Sequence, residues 1–347
     1  MNNSFGEQFR VTTFGESHGP ALGAIVDGVP AGLELDEAYI QKALDRRKPG
    51  QSVFTTPRKE ADAVEILSGV FEGRTTGTPV ALLIRNQDQR SRDYGDLAEV
   101  FRPGHADYGF FKKYGIRDYR GGGRSSGRET AARVAAGAIA AKYLQEKYGI
   151  VIRAWTEAVA GISGKKTDFD FIEKNALRAA DPDRYPAMEE AVRNAIAELD
   201  SVGGIVSCVI EGVPAGLGEP VFDKLDALLA HAMLSLGAVK GIEFGDGFAA
   251  AGLRGSVNND KMSPEGFLSN HAGGILGGIS TGAPITFRIA VKPTPSIRQE
   301  QQTVDQENNP RTVTVQGRHD PCICPRIVPV VEAMASLVLA DLTLRCH

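Results

Sequence analysis

The chain has 347 residues, 39 Lys plus Arg against 43 Asp plus Glu, and a formal charge of −4, with 42% hydrophobic and 24% charged residues. This is ordinary globular composition with enough chain for a large core, and it argues against disorder and against a general nucleic-acid coat protein. No apolar run approaches the roughly 20 residues of a membrane span, MNNSFGEQFRVTTFGESHG lacks the features of a signal peptide, and four cysteines make no disulfide framework, so the expected compartment is the cytoplasm.

The unusual number is 40 glycines. Many fall beside Arg, Ser and His, where glycine lets backbone approach a ligand closely. The first such frame is Gly15-Glu16-Ser17-His18-Gly19. His18 between small residues is a candidate functional histidine, because imidazole titrates near neutral pH. A strand is predicted over 24–27 and a helix over 36–46, with Asp36 as its N-cap. The helix closes on Arg46-Arg47-Lys48-Pro49-Gly50, cations suited to a helix C-terminus. A strand follows at 80–85.

From Arg102-Pro103-Gly104-His105 onward the chain is strongly basic, through Lys112, Lys113, Arg117, Arg120, Arg124 and Arg128. In a net-acidic protein, arginines concentrated among glycines suit a small, multiply charged anion. Gly121 to Glu129 leads into an Ala-rich helix predicted over 129–147. Ser126 and Glu129 have the spacing of a capping box, and the free amides of that helix start favour anions. Gly123-x-Ser125-x-Gly127 also fits a nucleophile elbow, but the elbow needs an apolar strand before it and Lys112 to Arg120 is charged.

Further helices are expected at 187–200, 223–236 (with Asp223 as N-cap) and 326–344, and strands at 205–211, 285–291 and 312–315. Lys292-Pro293-Thr294-Pro295-Ser296 leaves a strand carrying donors suited to phosphate. Residues 294–311 are polar and patternless, which reads as a flexible loop. In Gly317-Arg318-His319-Asp320-Pro321-Cys322-Ile323-Cys324 the cysteine spacing fits no metal knuckle, so no metal is expected and the cysteines read as small core residues.

Two internal echoes occur in the same order. Val26-Asp27-Gly28-Val29-Pro30-Ala31-Gly32-Leu33 returns as Ile210-Glu211-Gly212-Val213-Pro214-Ala215-Gly216-Leu217. Gly69-x3-Gly73-x3-Gly77 returns as Gly274-x3-Gly278-x3-Gly282. The expectation is one domain over 1–347, made of two similar halves (roughly 1–150 and 200–347) that share a core.

Three long segments, GESHGPALGAIVDGVPAG (15–32), GGGRSSGRETAARVAAGAIA (121–140) and GRHDPCICPRIVPVVEAMA (317–335), resemble the chorismate synthase family in its order and over essentially the whole chain. The resemblance implies an α+β fold with helices sandwiched between two antiparallel sheets, and a homotetramer. It implies a lyase of the shikimate pathway that eliminates phosphate from 5-enolpyruvylshikimate 3-phosphate in a 1,4-anti sense to give chorismate. Reduced FMN (FMNH2) would act as transient electron donor with no net redox change. Carried over by motif, His18 would serve the leaving phosphate, His105 the flavin, and Asp320 a proton relay. Ser17, Arg47, Arg102, Ser126, Arg128 and Arg318 would clamp substrate anions. Flavin contacts would come from Arg47, Arg124, Ser125, Ser126, Gly237, Ala238, Gly277, Lys292, Pro293, Thr294, Pro295, Ser296 and Arg318. Many relatives carry an Arg where this chain has Val53, which puts any NADP contact there in doubt. No insertion suggests a built-in reductase, so flavin would be reduced elsewhere. Two other functions fit some of the motifs: a serine hydrolase with Ser125 as nucleophile, and a non-catalytic flavin-binding protein.

Overall fold

Two five-stranded antiparallel sheets enclose a layer of helices in a computed structural model that describes residues 3–52, 54–56, 58, 60–87, 97–315 and 319–345. The first sheet contains β1 (Ser4–Phe5), β2 (Arg10–Gly15), β3 (Ala21–Asp27), β4 (Val64–Ser68) and β7 (Val80–Arg85), in the order β1-β2-β3-β7-β4. A small hairpin, β5 (Val70–Phe71) and β6 (Arg74–Thr75), interrupts it. The second contains β8 (Val151–Val159), β9 (Ile162–Ser163), β10 (Gly204–Glu211), β11 (Val239–Phe244) and β16 (Ile285–Val291), in the order β11-β16-β10-β8-β9. Three short hairpins complete the strands: β12 (Met262–Ser263) with β13 (Gly266–Phe267), β14 (Ile275–Leu276) with β15 (Ile279–Ser280), and β17 (Gln301–Val304) with β18 (Pro310–Val313).

Each sheet buries one face. Leu22, Ala24 and Val26 of β3 alternate inward with Val80, Leu82 and Ile84 of β7, and Val206, Cys208 and Ile210 of β10 do so with Ile285, Phe287 and Ile289 of β16, the period of two expected for sheets covered on one side. The helices are α1 (Glu37–Arg47), α2 (Asp107–Tyr114), α3 (Thr130–Tyr148), α4 (Tyr185–Ala197), α5 (Leu225–Leu234), α6 (Gly255–Asn258) and α7 (Cys324–Arg345). α3 lies on the first sheet, α7 on the second, and the two pack on each other. Gly137 makes that crossing close, since a Cβ there would sit 2.5 Å from the Cβ of Ala333. α7 is long and apolar enough to meet the composition of a membrane span, which the sequence reading did not anticipate, but 89% of that stretch is buried inside the protein.

The two echoes occupy matching hydrogen-bonded positions. Gly32 N donates to Thr75 O (2.8 Å) and Gly216 N to Ser280 O (2.9 Å). Thr75 Oγ1 donates to Pro30 O and Ser280 Oγ to Pro214 O, each at 2.6 Å. All six glycines of the second echo have left-handed φ, between 73° and 88°.

Several expectations need correction. Strands β2, β4, β8 and β11 and helix α2 were not read from the sequence. Asp36 does cap α1, accepting from Tyr39 N, but Asp223 does not cap α5; it binds Arg345 at 2.8 Å. Ser126 caps only a single 3₁₀ turn, Gly127–Glu129, by accepting from Arg128 N. Glu129 does not close the box, because Thr13 Oγ1 and Arg133 engage its carboxylate. The stretch 294–311 is not a patternless loop, since β17 and β18 form a hairpin whose turn is closed by Asp305 accepting from Glu307 N and Asn309 N. Polar side chains build that turn, so no hydrophobic alternation announces it. The expected strand at 312–315 starts earlier and ends at Val313.

Candidate active site

Widely separated stretches of chain meet at one cavity of about 660 Å³ between the start of α3 and the start of α7. The turn after β2 brings Ser17 and His18. Ser17 is 2% exposed and His18 9%, with Ser17 Oγ 3.0 Å from His18 Nδ1. Gly121 closes over them from the opposite side: it has φ +76°, and any Cβ there would strike the imidazole.

The segment before α2 brings Arg102 and His105. Arg102 is 3% exposed, donates through Nε and Nη2 to Asp107 (2.7 and 2.8 Å), and also through Nη2 to Gly121 O (2.6 Å). The buried carboxyl of Asp107 is held far below the usual range: burial opposes the charge, but the hydrogen bonds from Arg102 and the nearby His105 ring outweigh it. Burial lowers the pKa of His105, helped by Arg102 and Arg117 and opposed by Asp107.

At the start of α3, Arg124, Ser125, Ser126, Gly127 and Arg128 line the cavity. Arg128 donates to Asp62 and to Asn86 Oδ1, each at 2.5 Å. Asp62 also binds Arg47, and both carboxylate and guanidinium are essentially excluded from solvent. Burial works against the Asp62 charge, yet the two arginines hold its carboxyl below the ordinary range. Burial lowers Arg47 to about 10 against the pull of Asp62.

Asp320 stands at the start of α7, 8% exposed. It accepts from Thr56 N (2.9 Å) and from Arg326 Nη1 (2.6 Å). Beside it, burial pushes His319 down to about 4, with Arg102, His105 and Arg298 adding to the effect. The Nε2 of His319 is buried and has no hydrogen-bond partner among the described residues.

The remaining wall is the loop after α5 with the exit of β16. Gly237, Ala238, Lys292, Thr294, Pro295 and Ser296 line it. Lys292 Nζ donates to Gly104 O (2.6 Å), tying this wall to the His105 segment.

The structure thus brings His18, His105 and Asp320 to one cavity, with Ser17, Arg102, Arg124, Ser125, Ser126, Arg128, Gly237, Ala238, Lys292, Thr294, Pro295 and Ser296. Arg47, Pro293 and Gly277 do not line it. Arg47 lies behind the wall on Asp62, and Gly277 sits at the turn between β14 and β15. Arg318 and Val53 lie outside the described residues. Sequence reasoning missed Arg58, Arg133 and Arg326 as lining cations and His319 as a lining histidine. Arg133 was findable, since it is four residues from Glu129 and so on the same helix face.

Among the described residues, seven lining cations, Arg58, Arg102, Arg124, Arg128, Arg133, Lys292 and Arg326, face two lining carboxylates, Glu129 and Asp320. Most of the guanidiniums are backed by an acid: Arg58 by Glu60, Arg102 by Asp107, Arg128 by Asp62, Arg133 by Glu129 and Arg326 by Asp320. Such pairing fixes the forks before a ligand arrives, and the low-dielectric walls focus their field on anions. The volume lies in the upper half of the roughly 300–1,000 Å³ range of ligand pockets. Among the described residues, His105 Nδ1, Arg128 Nη2, Thr294 Oγ1 and His319 Nε2 are buried on lining residues without a hydrogen-bond partner. A cavity of this size and charge suits large, multiply anionic ligands.

Ser125 is not arranged as a nucleophile. Its Oγ donates to Gly122 O at 2.7 Å, and residues 115–122, immediately before it, form no strand.

A family model described as chorismate synthase matches residues 9–344. A chorismate synthase of Methylobacillus flagellatus is 57% identical over 343 residues, covering 99% of this chain and 95% of its own. A crystal structure of a chorismate synthase superposes with a TM-score of 0.78 at 33% identity, covering 99% of this chain and 93% of that one.

Proposed function

The chain belongs to the chorismate synthase family, a lyase family of the shikimate pathway, and from that premise we propose how its cavity performs the reaction. The substrate is 5-enolpyruvylshikimate 3-phosphate. Its allylic C–O bond to phosphate breaks, a C–H bond across the ring breaks, a second ring double bond forms, and phosphate and a proton leave. Reduced FMN, when bound, supplies the transient electron density that lets phosphate depart, and no net oxidation results.

The protein's own part is binding, orientation and proton handling. Arg128, Arg102, Ser126 and Ser17 hold the substrate anions, with Arg58 adding a cation that the motifs did not suggest. His18, steadied by Ser17 and by the backbone of Gly121, delivers or shares a proton at the departing phosphate oxygen. Arg124, Ser125, Gly237, Ala238 and the 292–296 segment hold the flavin, and His105 manages a proton on it. Asp320, kept charged-partnered by Arg326, receives a proton at its carboxylate and passes it on. Arg47 acts from behind, through Asp62 and Arg128.

The observation that carries this reading is that His18, His105 and Asp320, from three distant stretches of sequence, line one strongly cationic cavity. Phe222 is 90% exposed and Phe248 86%, with Val257, Met262 and Leu268 also exposed in the same half. Such apolar surface supports burial against further copies in a homotetramer. The enzyme acts in the cytoplasm on flavin reduced elsewhere.

The test is an anaerobic assay with photoreduced FMN and 5-enolpyruvylshikimate 3-phosphate, following chorismate absorbance and released phosphate. Equal amounts of both are expected, and none without reduced flavin. Phosphate release that ignores the flavin would sink the proposal. Labelling of Ser125 by a phosphonate would favour the hydrolase instead.

A further inference from the structure

On β2 the side chains of Val11 and Thr13 fall on the same face of the sheet. Val11 joins the hydrophobic core, whereas Thr13, two residues nearer the Ser17 turn, brings a hydroxyl. Thr13 Oγ1 donates to Glu129 Oε1 (3.0 Å) and accepts from Arg124 Nη2 (2.7 Å). These directions are forced, because an ionised carboxylate only accepts, a guanidinium only donates, and a hydroxyl has one proton to give. Glu129 is 8% exposed, and Arg133 Nε donates to both its oxygens (3.1 and 2.8 Å). Arg124 is fixed further by the backbone of β2, donating through Nη1 to Gly15 O (3.2 Å) and through Nη2 to Thr13 O (3.3 Å).

The hydroxyl also keeps cation and carboxylate apart. Arg124 Nη2 lies 3.8 Å from Glu129 Oε1, beyond hydrogen-bond reach. We propose that Thr13, which does not itself line the cavity, is a positioning residue for the flavin: Glu129 orients its hydroxyl, and the hydroxyl holds the Arg124 fork at the cavity wall. This rests on the flavin role given to Arg124 above. A fork held before the ligand arrives loses less freedom on binding. A fork free to close on Glu129 would instead have to break an ion pair to reach the ligand.

Thr13→Val keeps the shape and the β-branched fit to a strand but removes both bonds of the hydroxyl. Arg124 then lacks its shortest partner, and nothing stands between it and Glu129. Thr13→Ser restores the hydroxyl.

The experiment is a direct titration of the full chain with FMN, beside the anaerobic assay with photoreduced FMN. Thr13→Val should raise the Kd for FMN by about ten-fold or more and leave kcat at saturating reduced FMN within about three-fold, while Thr13→Ser stays within about two-fold of the unaltered chain in both. A mere loss of folded protein would lower the number of sites and the rate but leave Kd alone. In an Arg124→Ala background, Thr13→Val should change Kd by less than about three-fold, since the two residues act as a unit. An unchanged Kd in Thr13→Val beside a weakened one in Arg124→Ala overturns the proposal alone, as does the same factor in both backgrounds. An unchanged Kd in Arg124→Ala overturns the flavin role of Arg124, and the proposal with it. Should Thr13→Val fail to fold, Thr13→Ala is measured by the same criteria.

Discussion

A methyl group placed on Gly121 would lie 2.4 Å from both Cε1 and Nδ1 of His18. The same residue has φ +76° and offers its carbonyl to Arg102. One glycine therefore sets the position of a candidate acid and of a candidate anion clamp.

Gly121→Ala should displace the imidazole and strain the backbone. The expected cost is about 1–3 kcal/mol of stability and at least a ten-fold fall in chorismate formation. Denaturant unfolding and the anaerobic assay check the two parts. Unchanged turnover would show that His18 need not stand where it does.

His105→Ala and Asp320→Ala should each lose turnover by about 10²–10⁴-fold while FMN titration still shows binding. They should differ in stability. Asp320→Ala strips Arg326 and Thr56 N of an acceptor, at about 1–3 kcal/mol. Normal turnover in both variants would refute the catalytic assignments and leave the family membership intact.

His319 titrates near 4 in the folded chain against an ordinary 6.5. Between those values the unfolded chain takes up a proton that the folded chain refuses. Stability from this group is therefore present above about pH 6.5 and lost as pH falls toward 4, by up to about 3 kcal/mol. His319→Asn should flatten the dependence of unfolding free energy on pH in that window. Coincident slopes for the two proteins would mean that the ring is free to charge.

Asp62 is the shared partner of Arg47 and Arg128, and it holds a left-handed φ of 49°. Asp62→Asn suits that backbone but leaves two buried guanidiniums short of charge. A loss of about 3–5 kcal/mol is expected, read by chemical denaturation. Adding Arg47→Met should recover part of it, because one uncompensated cation is removed.

The parts of the fold that could be read from sequence were those whose physics is local. Asp36 before an amphipathic run fixes a helix start, and alternation fixes β7, β10 and β16. The glycines at 69, 73 and 77 and at 274, 278 and 282 mark turns that only left-handed backbone can make. What stayed hidden depends on partners far along the chain. Glu129 looks like a cap until Thr13 and Arg133 claim it, and Asp223 until Arg345 does. Arg47 reads as a helix-end cation, but burial on Asp62 puts it behind the cavity wall. The motifs pointed to His18, His105 and Asp320. That Asp107, Asp62 and Glu129 steer the cations around them is visible only once the chain is folded.

The crossing of α3 and α7 has a mechanical meaning. Gly137 and Ala333 touch about 10 and 13 Å from the ends of the helices that open onto the cavity. They act as a pivot pin: whatever thickness separates the two rods there is transmitted to the gap between their tips. The aperture that grips two molecules at once is therefore gauged by a hydrogen atom on a residue that no ligand meets.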